Sequence, residues 1–379
     1  MFKQKKLFKD GFRCYSLLSD IHKYSKSKPQ KFTIDGLINS KNLNEQNRTK
    51  ICQEELKNRI SHKILEVESF PYGLSHINSI KKIHKWYITS FHELQEFEKN
   101  YDINDNQEYS KILKKIYERH SPTLMNISKG IFEWKKDLED SYGEQIDFFK
   151  FGNKKYMLNS IEHSLNSFYD SRISIRLLID HYLNLNVIDK EKIGIVSLKT
   201  EPLDILLQAW LNASFVSTRD YGFCPNIYVK GERLDEKLVE KYKHLNFPYI
   251  DYHMYYILFE VLKNSIRATI EKEKQTGTME DIHIDFSEIF EEYFTFKISD
   301  KGVGIKYKNL EDIWSYFYST GNYILDKSSI EDIDDFDNKA PIAGFGYGLP
   351  MSNLMVKYFG GNITVNSIEG KGTDVYIYI

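Results

Sequence analysis

The hydrophobic pattern of this 379-residue chain changes period once. From about Cys52 to Leu185 the apolar residues recur at helical spacing. In LKNRISHKILEVE, for example, Leu56, Ile60, Ile64 and Val67 share one face. Interruptions at Ser69–Gly73 (SFPYG), Asn100–Asn106 and Ser141–Asn153 leave four long amphipathic segments. Such segments bury their stripes against one another, and short connections make neighbours antiparallel. The first half therefore predicts an all-α four-helix bundle. Beyond Leu185 the period drops to two. Runs at 193–197, 226–230, 281–286, 293–299, 362–367 and 374–379 read as strands. Helical stretches at 201–220, 249–274 and 350–359 separate them, which predicts an α+β sandwich with helices on one face of a mixed sheet. The textures meet between Asn186 and Lys192, so the expected domains are 45–188 and 189–379.

Composition narrows the classes. With 41% hydrophobic and 15% aromatic residues, the chain can bury a sizeable core. No apolar run reaches the roughly 18 residues that span a bilayer, and a net charge of -2 gives no global footprint for nucleic acid. Cys14, Cys52 and Cys224 are far apart and odd in number, which fits a reducing compartment. Residues 1–31 stand out: nine Lys/Arg face two acids, a net of +7, among scattered Leu, Phe and Ser. That composition predicts a mitochondrial presequence, although Lys rather than Arg carries the charge. A disordered basic tail is the alternative.

Three motifs carry chemistry. In YYILFEVLKNSIRATIE (Tyr255–Glu271) the helix is apolar nearly all round, yet Glu260, Asn264, Arg267 and Glu271 recur on one stripe. Buried polar groups are costly unless they meet a ligand or each other; a solvated stripe is the bland alternative. In FKISDKGVGI (Phe296–Ile305) a strand ends at Asp300, followed by Gly302 and Gly304. An acid placed there can accept a hydrogen bond from an exocyclic amine, or merely start an Asp-Gly turn. In IAGFGYGLP (Ile342–Pro350), Gly344, Gly346 and Gly348 alternate with other residues ahead of a helix that ends near Gly360 and Gly361. Pro350 suits the first helical position. A helix N-terminus offers free N–H groups and a positive dipole end to a phosphate. The loop is neither a Rossmann nor a Walker pattern. Between these motifs, residues 321–341 carry six acids against two lysines. They read as a nucleotide lid or, equally, a disordered insertion.

The order ExxxN, DxGxG, GxGxG resembles the ATP-binding signature of histidine kinases, heat-shock chaperone ATPases, gyrases and mismatch-repair ATPases. The resemblance narrows at LFEVLKNSIRAT, YST (Tyr318–Thr320), AGFGYGLPMSNLMVKYFGG and SIEGKGTDVYIYI, and in the first half at WYITSFHELQEFEK and SFYDSRISIRLLI. These segments look like the mitochondrial pyruvate dehydrogenase kinase and branched-chain ketoacid dehydrogenase kinase family, from about Cys52 to the C-terminus. The resemblance implies a protein serine kinase of the mitochondrial matrix, dependent on ATP and Mg²⁺. Glu260 would be the general base and Asn264 the Mg²⁺ ligand. ATP contacts would fall at Glu260, Val261, Leu262, Lys263, Asn264, Ser265, Ile266 and Arg267. Asp300 would hold the adenine amine, with Gly302 and Gly304 behind it. Further contacts would come from Ser319, Thr320, the loop Gly344, Phe345, Gly346, Tyr347, Gly348 and Leu349, and Thr373.

The same resemblance implies a homodimer through the second domain's sheet, and a substrate serine on the α subunit of a 2-oxoacid dehydrogenase. It also implies docking on a lipoyl domain of that complex by one end of the bundle. Phe70 and Tyr72 of SFPYG lie at such an end, where they contact a lipoyl chain or simply cap the core. The matching segments lean towards the pyruvate complex, with the branched-chain complex as the alternative. Two departures favour the latter: Tyr256 stands where pyruvate dehydrogenase kinases carry a His one turn before the base, and the longer C-terminal arm is missing after Ile379. Two rivals belong to other classes. HEL at His92–Leu94 resembles the phosphoacceptor box of a histidine autokinase, but no proline follows it and a helix-surface His is the favoured reading. The intact Glu260 and Asn264 argue against the other, a nucleotide-gated adaptor. RHSPT (Arg119–Thr123) reads as a helix kink at Pro122.

Overall fold

A computed structural model describes residues 17–101, 105–142, 152–187, 189–290, 293–318 and 347–379. It divides between Ile188 and Asp189 into two compact units. The first unit is helical: α1 (17–24), α2 (Ile34–Asn39), α3 (Glu45–Glu68), α4 (Asn78–Asn100), α5 (Asn106–Arg119), α6 (Thr123–Tyr142) and α7 (Gly152–Asn184). Helix α3 packs on α4 and α7, α4 on α5 and α6, and α5 on α7. The result is a four-membered bundle whose third member is in two pieces. The expected kink at Pro122 is a full break: α5 stops at Arg119 and α6 begins at Thr123. Proline lacks the N–H and its ring crowds the preceding turn, which kinks or breaks a helix, and here it breaks. The stripe Leu56, Ile60, Ile64 and Val67 is buried in the core with Tyr87, Phe91, Tyr109 and Phe168. Phe70 is buried as well, its ring 5.7 Å from that of Phe168, whereas Tyr72 is exposed.

The N-terminal segment has structure of its own. From residue 17 onward the chain is built into the bundle rather than trailing from it. Ile21 is 1% exposed. Gln95 donates to Asp20 Oδ2 at 2.8 Å, Lys57 to Tyr24 Oη at 2.8 Å, and Asn58 to the Ser27 carbonyl at 2.9 Å. Arg59 donates to the Gln30 carbonyl and lies over the Phe32 ring. The segment read as a presequence, 1–31, thus overlaps a packed arm. Its residues 1–16 lie outside the described residues.

The second unit contains β1 (Lys192–Ile193), β2 (Val196–Thr200), α8 (Pro202–Tyr221), β3 (Ile227–Val229), β4 (Glu232–Arg233), α9 (Glu236–Lys241), β5 (Phe247–Tyr249) and α10 (Asp251–Thr276). It continues with β6 (Ile282–Phe290), β7 (Tyr293–Asp300), α11 (Gly348–Tyr358), β8 (Asn362–Ile368) and β9 (Gly372–Tyr378). A six-stranded sheet runs in the order β4-β3-β6-β7-β9-β8, with β3 and β6 parallel and the other neighbours antiparallel. Helices α8, α10 and α11 form the covering layer, with α10 central and lying on β7. A small sheet, β1-β2-β5, stands apart.

Three differences from expectation have plain causes. The run 193–197 is a hairpin rather than one strand, because Gly194 takes φ 58° and reverses the chain. Strand β5 contains Pro248, which reads against a strand but is tolerated on a sheet edge. Helix α11 starts at Gly348, so Pro350 is the third helical residue rather than the first. First-turn N–H groups have no partner within a helix, so the missing donor does no harm there either. Among the described residues no helix is long and apolar enough to cross a membrane.

Candidate active site

The stripe on α10 lines a cleft of about 310 Å³, closed on its other sides by the end of β7, the segment after it, β8, β9 and the start of α11. Glu260, Asn264, Arg267 and Glu271 all face it. Helical periodicity forces this, and three of the expected contacts on α10, Leu262, Lys263 and Ile266, do not line the cleft. Leu262 and Ile266 lie on the opposite side of α10 and are buried in the core, not presented to the cleft.

Glu260 is held from two sides. Lys263, one turn on, donates to Glu260 Oε1 at 2.8 Å, and its ammonium lies 5.0 Å from the centre of the Phe259 ring. Across the cleft, Gly348 comes so close that a Cβ there would collide with Glu260 Oε2. This approach explains one glycine of the loop: any side chain would push α11 off the carboxylate. Tyr347 is the N-cap of α11 and makes no side-chain capping bond. The helix therefore presents its first-turn N–H groups, with the positive end of its dipole, beside Glu260. Tyr256 is half-buried one turn before Glu260.

The other end of the cleft is drier. Asp300 closes β7 and is only 6% exposed. Burial pushes its carboxyl up to about 6, against the pull of the Gly302 N–H, the Ser265 hydroxyl and the Thr373 N–H. The Gly302 N–H donates to Asp300 Oδ1 at 2.9 Å. Val303, Ile305, Val365 and Val375 supply apolar walls around it. Gly304 is required where it stands, since it takes φ 68° and a Cβ would strike the Ile368 carbonyl. Beyond it, the Ile305 N–H donates to Ser367 Oγ at 2.8 Å, and Ser367 is paired with Thr373 at 2.8 Å. These bonds tie the DxGxG turn to the β8–β9 hairpin.

The donor set suits a Mg²⁺–nucleotide. Asn264 is exposed to the cleft between its two ends and offers a carboxamide oxygen. Among the described residues no cluster of three His, Cys, Asp or Glu could form a metal cage. Mg²⁺ commonly uses one or two protein oxygens plus phosphates and waters.

Ser319, Thr320, Gly344, Phe345 and Gly346 lie outside the described residues, as does 321–341. Sequence reasoning missed the walls formed by Val303, Ile305, Val365 and Val375, and the contributions of Lys306, Asn309, Ile313 and Tyr318. A valine facing a ligand and a valine facing the core look alike in sequence; only the sheet register separates them. His92 is a surface residue of α4, 4.0 Å from Glu96.

Comparison with known proteins agrees with this geometry. Residues 251–379 match the family model described as histidine kinase-, DNA gyrase B- and HSP90-like ATPase. Residues 31–197 match that of the mitochondrial branched-chain alpha-ketoacid dehydrogenase kinase. A mitochondrial [pyruvate dehydrogenase (acetyl-transferring)] kinase of Arabidopsis thaliana is 29% identical over 371 residues, covering 96% of this chain and 94% of the relative. That of Drosophila melanogaster is 30% identical over 340 residues, covering 86% and 75%. Isozyme 3 of Homo sapiens is 29% identical over 369 residues, covering 95% and 84%. Fold and cleft together define an ATP-binding domain of the histidine-kinase type joined to a helical bundle. The chain belongs to the family of mitochondrial pyruvate dehydrogenase and branched-chain ketoacid dehydrogenase kinases. The names of these relatives place them in the mitochondrion, which supports a mitochondrial location for this chain.

Proposed function

We infer that this chain is a protein-serine kinase of the mitochondrial matrix that uses ATP and Mg²⁺ to phosphorylate, and so inactivate, the α subunit of pyruvate dehydrogenase. The observation that carries the reading is the placement of Glu260 between the Lys263 ammonium and the N-terminus of α11. In this reading Asp300 accepts the adenine amine, and the valine walls exclude water from the base. The triphosphate extends towards Gly348 and Leu349, where the helix N-terminus meets its charge. Mg²⁺, on Asn264, would neutralise phosphate oxygens. Glu260 takes the proton of the substrate hydroxyl as that oxygen attacks the γ-phosphorus, the bond to the β–γ bridging oxygen breaks and ADP leaves, while Lys263 holds the carboxylate in place. Phosphoryl transfer needs mainly alignment and charge compensation, so this modest equipment suffices.

The relatives named above as pyruvate dehydrogenase kinases favour the pyruvate complex. The branched-chain complex stays as the second reading, because the bundle's family model bears that kinase's name. Docking on a lipoyl domain at one end of the bundle, and dimerisation through the six-stranded sheet, belong to the same proposal. If a presequence is removed, the packing of residues 17–33 favours cleavage ahead of residue 17. The decisive experiment offers both purified complexes to the kinase with labelled ATP. Label on the pyruvate dehydrogenase α subunit, with loss of its activity, is expected. Label only on the branched-chain enzyme would transfer the assignment there, and label on a histidine of the kinase itself would favour autokinase chemistry.

A further inference from the structure

Two tyrosines flank the cleft without lining it at the catalytic end. Tyr316 follows the 3-10 turn Asp312–Trp314, and Tyr347 is the N-cap of α11. Both are buried, 4% and 5% exposed. Their ring centroids are 5.2 Å apart with the planes tilted by 39°. Large, nearly dry aromatic pairs of this kind hold backbone segments in fixed register. What this pair holds is the first turn of α11. The carbonyl of Tyr347 accepts the first bond of that helix, from the Met351 N–H at 3.0 Å. The next residue, Gly348, is the one whose backbone abuts Glu260 Oε2. The Tyr316 side is itself anchored. The 3-10 turn packs on α11, the Ser315 side chain takes the Phe317 N–H at 3.1 Å, and Asn309 donates to Tyr318 Oη at 3.1 Å.

We propose that Tyr316 is a positioning residue for phosphoryl transfer. Through its ring contact with Tyr347 it holds the N-terminus of α11 against Glu260, so that the γ-phosphate and the base are aligned. The proposal rests on the reading of the cleft as an ATP site. It places the clasp at the phosphate end only; the adenine end, built on Asp300, Gly302 and Thr373, stands on the sheet and does not depend on it. Loss of the ring should therefore separate two quantities that a general loss of structure would move together.

Full-length protein and the variants Tyr316→Phe and Tyr316→Leu are titrated with adenosine and with ATP plus Mg²⁺, and serine phosphorylation is followed in parallel. Tyr316→Phe, which keeps the ring, should stay much closer to wild type in ATP affinity and kcat than Tyr316→Leu. Tyr316→Leu should bind adenosine within about twofold of wild type, bind ATP on the order of tenfold more weakly, and show a lower kcat at saturating ATP. A tenfold change corresponds to about 1.4 kcal/mol. Equal losses for adenosine and ATP, or no loss for either, would overturn the proposal, as would a Phe variant as impaired as the Leu variant. Should Tyr316→Leu not fold, Tyr347→Leu removes the other half of the pair and is judged by the same split. Failure of the wild type to bind either ligand would instead refute the ATP-site reading, so the two failures are distinguishable.

Discussion

The cleft holds two acids, and the protein treats them in opposite ways. Glu260 has a cation on its own helix, Lys263 at 2.8 Å, and the positive end of α11 facing its second oxygen. Asp300 makes no ion pair among the described residues, is 6% exposed, and is held by neutral donors such as the Gly302 N–H. The first arrangement compensates the charge of an acid that faces the cleft. The second keeps a carboxyl in place beside apolar walls. Under the proposed function, position along one cleft, rather than residue type, divides chemistry from recognition.

The comparison breaks most visibly at Glu260. Glu260→Gln keeps shape and the possibility of a bond to Lys263 but removes a proton acceptor. Transfer to serine is expected to fall by about 10²–10⁴-fold, the usual span for a general base, while ATP affinity stays near wild type. Initial rates with saturating ATP, paired with calorimetric titration, check both halves. A variant that transfers phosphate normally would remove Glu260 from the mechanism.

Much of this contrast is legible in the sequence. The four-residue and three-residue spacings of Glu260, Asn264 and Arg267 place them on one helix stripe whatever the fold, and Asp300 ends an alternating strand. Leu262 and Ile266 enter the expected site only because the motif is contiguous; helical geometry turns them into the core. The slot around Asp300 is not legible, because Val365 and Val375 reach it through the β8–β9 pairing, about 60 or more positions along the chain from the DxGxG turn. The packed arm is hidden for a related reason. Basic composition in residues 1–31 resembles a targeting signal, and nothing local reveals that Lys57, Asn58 and Arg59 of α3 await its carbonyls and Tyr24.

The dry acid makes the second prediction, and its sign is opposite to that of an ordinary ion-paired carboxylate. The Asp300 carboxyl is raised from 3.8 to about 6, so between those values the native state holds more protons than the unfolded chain. Stability should therefore fall as pH rises through this window. The loss is on the order of 3 kcal/mol at most, since each pH step between the two values is worth about 1.4 kcal/mol. Asp300→Asn removes the titration. Its melting temperature should exceed wild type at pH 7, and the gap should close towards pH 4. A gap of constant size at both pH values would mean that Asp300 titrates like an exposed acid.

Recognition gives the third. Asp300→Ala should weaken ATP binding by roughly tenfold to a hundredfold, the range for losing a hydrogen bond to a charged group. Glu260→Gln should not. ATP binding by wild type should also weaken as pH drops below about 6, because a protonated Asp300 loses acceptor capacity. Isothermal titration at pH 5.5 and 7.5 tests this, and pH-independent affinity would place the adenine elsewhere.

The smallest effect concerns the cation. Lys263→Met keeps most of the side-chain volume and its contact with the Phe259 ring but leaves Glu260 Oε1 without its 2.8 Å partner. The pair is only partly buried, with side-chain exposures of 9% and 14%, so the loss should be modest, about tenfold in kcat. The informative measurement is the double variant. If Lys263 acts by holding Glu260, adding Lys263→Met to Glu260→Gln should cost little more, because the carboxylate it held is gone. If the two losses multiply, Lys263 acts independently, as a direct neutraliser of phosphate charge. The Glu260 end of the cleft would then hold two separate devices, where the Asp300 end holds one.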